Sequence, residues 1–150
     1  MARILIADDN ADVRDLLVAL FRLRRHEPAA FATGPDLLAE LRARPAALCL
    51  VDWMMPGMDG PAVLSEIRND PDPRVAATPV VMLTSDDRAD NRFVARHAGA
   101  QAFINKATPV APLFEALAPH LPNPPRTADP AEDTHLDLPS PGAPKLNQPS

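Results

Sequence analysis

Leu48-Cys49-Leu50-Val51-Asp52-Trp53-Met54-Met55-Pro56-Gly57-Met58-Asp59-Gly60 decides how the rest of the chain is read. An unbroken apolar run of strand length marks a strand buried on both faces, as in a parallel sheet. The run stops at a carboxylate, Asp52. Pro56-Gly57 and Asp59-Gly60 then mark tight turns, because proline presets φ and glycine tolerates positive φ. Asp52 is therefore expected at the carboxyl end of a strand beside a rigid loop, where open α/β sheets keep their chemistry.

The same pattern recurs on both sides of this stretch. Arg3-Ile4-Leu5-Ile6-Ala7 ends in Asp8-Asp9, and Asn10 is placed to cap a helix with Asp12 in its first turn. Val13, Leu16, Leu17, Leu20 and Leu23 recur at helical spacing and predict that helix's buried face. Residues 28–32 read as a weaker strand. Thr33-Gly34-Pro35 leads into a helix with Leu37, Leu38 and Leu41, ended by Pro45. Beyond the central loop, Pro61 suits a first helical turn, and Val63, Leu64 and Ile67 form the apolar stripe. Residues 70–73 read as a loop. Pro79-Val80-Val81-Met82-Leu83 is another buried run, ending at Thr84-Ser85. Asp86-Asp87 can start a helix that carries Phe93 and Val94 and closes at Gly99 in a left-handed conformation. Ala102-Phe103-Ile104-Asn105 is a short strand ending at Lys106, and Thr108-Pro109 reads as N-cap and first position of a last helix buried through Leu113, Phe114 and Leu117. Five strand-then-helix units predict an α/β fold, a doubly wound five-stranded parallel sheet with right-handed crossovers and helices on both faces.

Composition sets the bounds. The chain has 150 residues, 46% hydrophobic and 23% charged, which suits one globular domain with a real core. A net charge of -5 gives no support to a nucleic-acid-binding surface. The single cysteine, Cys49, lies inside the buried run, so it reads as a core side chain in a reducing compartment. The sequence has neither a stretch long enough to cross a membrane nor a signal-peptide pattern, and a cytoplasmic protein is expected. Residues 1–119 form the expected domain, and 120–150 a proline-rich tail. Residues 121–150 hold eight of the 19 prolines, four leucines, and no aromatic, isoleucine, valine or methionine. Such a composition buries too little apolar surface to offset ordering entropy, so a solvated tail is expected.

What ends the strands is the informative part. Asp8-Asp9, Asp52, Thr84 and Lys106 each follow an apolar run, so a parallel sheet brings them to one edge. Singly, each has an ordinary explanation as a cap, a strand end or a surface charge. Together, the three carboxylates must be neutralised, since a like-charge pair at 4 Å costs about 4 kcal/mol at an effective dielectric of 20. Magnesium suits such oxygen ligands, and three carboxylates, one Mg²⁺ and one lysine sum to zero. That balance leaves room for a phosphoryl group, with Lys106 stabilising charge and Thr84 donating a hydroxyl. Asp52 is the best nucleophile candidate because its own strand and loop fix it; Asp8 and Asp9 form a paired metal corner.

On these residues the chain resembles the receiver domains of two-component response regulators, over about residues 1–119. The motifs are the Asp8-Asp9 pair, Asp52 within Asp-x-x-Met-Pro-x-Met-Asp-Gly, Thr84 and Lys106, in order and on the expected elements. The resemblance implies a flavodoxin-like strand order 2-1-3-4-5; residues after 120 look like neither a DNA-binding nor a catalytic domain, so a stand-alone response regulator is expected. It implies that Asp52 accepts phosphate from a histidine kinase or histidine phosphotransfer protein. It also implies Mg²⁺ binding by Asp9, Asp52 and the backbone carbonyl of Met54, with Asp8 acting mainly through water, and a switch pair of Thr84 and Phe103. Met54 and Asp86 resemble positions that tune phosphate lifetime. Two departures stand out. Ala107 follows Lys106 where the family usually has proline, often cis; a cis non-proline bond costs roughly 2.5–4 kcal/mol, so a trans bond or a shifted loop is expected. Phe103 stands where tyrosine is frequent, so any signal carried by that hydroxyl is missing.

The reading is thus a phosphorylation switch that presents a protein-protein surface to a downstream protein target, catalysing only its own phosphorylation and dephosphorylation. A receiver fold used as a phosphorylation-independent binding module ranks second. A haloacid-dehalogenase-like phosphatase ranks third, because such enzymes usually place a second acid two residues after the nucleophile, where this chain has Met54.

Overall fold

The computed structural model describes residues 2–85 and 99–121. Five parallel strands, β1 (Arg3–Ala7), β2 (Glu27–Phe31), β3 (Leu48–Asp52), β4 (Val80–Thr84) and β5 (Ala102–Asn105), lie in the order β2-β1-β3-β4-β5. Between them run α1 (Ala11–Leu23), α2 (Gly34–Ala43), α3 (Gly60–Arg68) and a single turn α4 (Pro73–Ala76); α5 (Val110–Leu117) and a 3₁₀ turn (Ala118–His120) follow β5. The helix expected from Asp86-Asp87 through Phe93 and Val94, and the tail beyond Leu121, lie outside the described residues. Gly99, expected to be left-handed, has φ 99°.

The strand sequences dictate the layers. Successive side chains point to opposite faces. Leu5, Cys49, Val51, Val80, Met82 and Phe103 therefore pack beneath α2 and α3, against Leu37, Leu41, Val63, Leu64 and Ile67. Their neighbours Ile4, Ile6, Leu48, Leu50, Val81 and Ile104 pack on the other face against Leu17, Phe21, Leu113, Phe114 and Leu117 of α1 and α5. All five residues of β3 are buried, as its unbroken apolar run requires. Burial pushes the Cys49 thiol up to about 12, so it stays protonated and inert.

Local signals account for the helix starts. Asn10 accepts from the backbone of Asp12 and Val13, Thr33 from Asp36, and Asp59 from Ala62, each satisfying a donor that the first helical turn leaves unpaired. Three expectations need correction. Leu16 and Leu23 are 54% and 76% exposed, because α1 rests on the core through Leu17 and Phe21. Thr108 does not cap α5: the helix begins at Val110, so the N-cap position falls on Pro109, which has no side-chain cap bond. Residues 70–73 are not all loop, since Asp72 caps α4 by accepting from Arg74.

Candidate functional site

Register brings the site together. Ala7 pairs with Val51, Asp52 with Leu83, and Thr84 with Asn105, so the residues that end β1, β3, β4 and β5 meet at one edge of the sheet. Backbone bonds continue each ladder past its strand: Asp8 N donates to Phe31 O at 3.0 Å, Trp53 N to Leu83 O at 2.7 Å and Lys106 N to Thr84 O at 2.7 Å.

At that edge Asp8, Asp9 and Asp52 each present a carboxylate oxygen, all within 4.8 Å of one another. Asp8, Asp52 and Thr84 are buried and Asp9 is exposed. The Lys106 ammonium stands 2.7 Å from Asp8 Oδ2 and 3.1 Å from Asp52 Oδ1, bridging the two buried acids. Asp8 Oδ1 accepts from the Asn10 backbone at 2.9 Å, and the Met54 backbone N–H reaches Asp52 Oδ1 at 3.4 Å. Met54 itself is 69% exposed at the rim.

The electrostatics follow from burial. Desolvation and then the neighbouring Asp8 push Asp52 up to about 6, against the partial relief that Lys106 gives. Burial acts to lower Lys106, but its hydrogen bonds to Asp8 and Asp52 outweigh that and raise it. Lys106 is the cation paired with Asp8 and Asp52, so with Asp9 the group carries three carboxylates and one ammonium, a formal charge of -2 when all are ionised. An all-oxygen donor set with that deficit fits a hard divalent cation such as magnesium.

Among the described residues, Asp8, Asp9, Asp52, Met54, Thr84 and Lys106 lie at this edge and Phe103 borders it. Phe103, opposite Met82 in the ladder, is 8% exposed and lies two pairs from Thr84. Its ring meets Trp53 edge-on, with centroids 5.7 Å apart at 66°. Asp86 lies outside the described residues.

Several supporting groups were not singled out in the sequence. Asn105 Oδ1 accepts from Ala107 N at 2.8 Å, closing the turn that carries Lys106. An asparagine ending an apolar run just before a lysine is the signal for such a turn. Arg14 Nη1 donates to Asp8 O at 2.8 Å, and nothing in helical spacing points to it. Gly60 is the third. A Cβ there would stand 2.6 Å from Asp52 O and 2.4 Å from Met82 Cε, so the start of α3 can press on the end of β3 only through glycine. Gly60→Val is expected to destabilise the protein by about 2–3 kcal/mol, measured by urea denaturation, and to disturb Asp52 directly; a change under about 0.5 kcal/mol would show that the loop has slack.

The chain matches the response regulator receiver domain family over residues 4–118 and belongs to it. Sensory transduction protein RegX3 of Mycolicibacterium smegmatis is 31% identical over 106 residues, covering 71% of this chain and 44% of that protein. Response regulator PleD of Caulobacter vibrioides is 37% identical over 114 residues, 75% of this chain and 24% of that protein. This chain thus spans less than half the length of these curated relatives. Among solved structures, Vibrio cholerae chemotaxis protein CheY4 shares the fold, with a TM-score of 0.76 at 23% identity over 81% of this chain and 99% of that one. The BeF3-activated N-terminal receiver domain of Klebsiella pneumoniae RstA superposes with a TM-score of 0.71 at 27% identity, over 79% and 97% of the two chains. The strand order 2-1-3-4-5 expected from the sequence is the observed one. No helix among the described residues is long and apolar enough to cross a membrane.

Proposed function

We propose that residues 1–119 act as a magnesium-dependent phosphoacceptor switch, with Asp52 as the acceptor. The observation that carries the reading is the convergence of the Asp8, Asp9 and Asp52 carboxylates with the Lys106 ammonium on one sheet edge. Asp8, Asp9, Asp52 and the Met54 carbonyl would hold Mg²⁺, which when bound supplies charge neutralisation for the incoming phosphoryl group. An Asp52 oxygen attacks phosphorus, and a P–O bond forms as the bond to the donor breaks. With a phosphohistidine donor, the leaving imidazole nitrogen takes up a proton. Lys106, already between Asp8 and Asp52, offers a charge-assisted hydrogen bond to the new oxygens. The Thr84 hydroxyl supplies a further donor.

Phosphorylation replaces the single charge of an ionised Asp52 carboxylate with an acyl phosphate of about two negative charges, a net gain of about one, and shifts the population toward the state in which Thr84 engages it and Phe103 stays packed inward. The donor is a histidine kinase or phosphotransfer protein in the cytoplasm, and the output is a protein-protein contact. Lys106 is joined to Ala107 by a trans bond, on the energetic argument above. Turnover is confined to the protein's own acyl phosphate.

The test is intact-protein mass after incubation with Mg²⁺ and acetyl phosphate. One added phosphate group is expected, absent when EDTA replaces Mg²⁺ and absent in Asp52→Asn. Incorporation that ignores EDTA, or persists in Asp52→Asn, overturns the reading.

A further inference from the structure

We propose that residues 129–138 of this chain's own tail dock into the open groove between α1 and the start of α5. The groove is small, about 80 Å³, and is walled by Leu16 and Leu20 of α1 and by Val110 and Leu113 of α5, with Lys106 and Thr108 at its upper rim. Leu16 and Val110 are 54% and 41% exposed, an unusual position for two neighbouring large aliphatic side chains in a chain so poor in surface hydrophobes. Among the described residues lining it there is no carboxylate.

Three features of the chain select the occupant. The first is pattern: Leu136 and Leu138 are two residues apart, and Pro139 biases Leu138 toward extended backbone. Extended backbone sets both leucines on one side and Asp137 on the other, which suits an apolar slot with open walls. The second is charge. Asp129, Glu132 and Asp133 precede the leucines, while Arg22, Arg24 and Arg25 are exposed at the lower end of α1. Arg24 is held over the Phe114 ring at 3.7 Å, which fixes that basic end against α5. A strand running upward from Leu121 passes its acids over these arginines before its leucines reach the groove.

The third is reach. Leu121 packs at the far end of the α1/α5 face, beyond the 8 residues of α5 and the 3 of the 3₁₀ turn. At 1.5 and 2.0 Å rise those elements span about 18 Å. The 15 residues from Leu121 to Leu136 cover roughly 21 Å as a coil and roughly 46 Å if fully polyproline-like, so the span lies at the near end of their range, where tethering concentrates a ligand most.

The experiment places a nitroxide on Ser140→Cys in the full-length chain and reads methyl NMR intensities. Cys49 is buried and its thiol stays protonated, so it escapes a maleimide label. Docking predicts selective loss of the Leu16, Leu20, Val110 and Leu113 methyl signals, and recovery of those signals when Leu136→Asp and Leu138→Asp are introduced together. A diffuse loss over the surface, or a loss that the double variant leaves unchanged, overturns the proposal. So does a loss that persists undiminished when the nitroxide and the isotope label are carried on separate, mixed molecules, which would assign the groove to a second copy. None of these readouts depends on phosphorylation.

Discussion

Lys106→Met is expected to lower the stability of the metal-free protein at pH 8 by about 3 kcal/mol, the usual cost of removing one partner from a buried ion pair. The ammonium bridges Asp8 and Asp52 at 2.7 and 3.1 Å, and its loss leaves two buried carboxylates facing each other with Asp9 alongside. Methionine keeps the length of the side chain, so packing changes little. Two conditions should shrink the deficit. At pH 5 Asp52 can take up a proton, since burial and Asp8 already hold it up at about 6 even with Lys106 present. Saturating Mg²⁺ should shrink the rest, since the ion neutralises the same carboxylates and the variant, lacking the ammonium, binds it more tightly and gains more from it than the parent does. Urea denaturation at pH 5 and pH 8, with EDTA or Mg²⁺, checks all three; a small deficit independent of pH and metal would mean that Lys106 does not neutralise the acids.

Asp52→Asn should do the reverse to stability while abolishing phosphate uptake. Asp52 is held well above its ordinary 3.8, at about 6, so the folded protein binds its proton more tightly than the unfolded chain does. The stabilisation from that proton is complete below pH 3.8 and is lost as pH rises through 6. Above pH 6, ionised Asp52 strains the metal-free fold, and asparagine removes the strain at the cost of the ion pair with Lys106. The variant should therefore be more stable than the parent by about 1–3 kcal/mol at pH 8 in EDTA and equal to it near pH 4. An advantage that persists at pH 4, or a loss at pH 8, would place Asp52 in a different electrostatic setting.

Both expectations rest on residues that the sequence itself displayed, because each ends an apolar run and parallel pairing must bring run ends together. Asp8, Asp52, Thr84 and Lys106 were legible for that reason, and so was the layer order, from β3 buried on both faces. What helical spacing could not tell was which of Leu16 and Leu17 faces the sheet. Adjacent leucines on one helix differ by about 100° of rotation, and the tilt of α1 against Phe114 and Ile104 decides between them. Thr108 misled because the Thr-Pro pair fits a cap one residue earlier than the one used: α5 begins at Val110, with Pro109 at the cap position and no side-chain cap bond. Arg14 over the Asp8 carbonyl and Trp53 against Phe103 come from contacts between elements, which no local pattern records.

The central claim is that the carboxylate ending β3, and none of its neighbours, receives the phosphoryl group. Borohydride reduction of the acyl phosphate after treatment with acetyl phosphate and Mg²⁺, followed by peptide mapping, reads this at single-residue resolution. Homoserine is expected at position 52 alone; homoserine at position 8 or 9, or none at position 52, would contradict the assignment of Asp52 as acceptor.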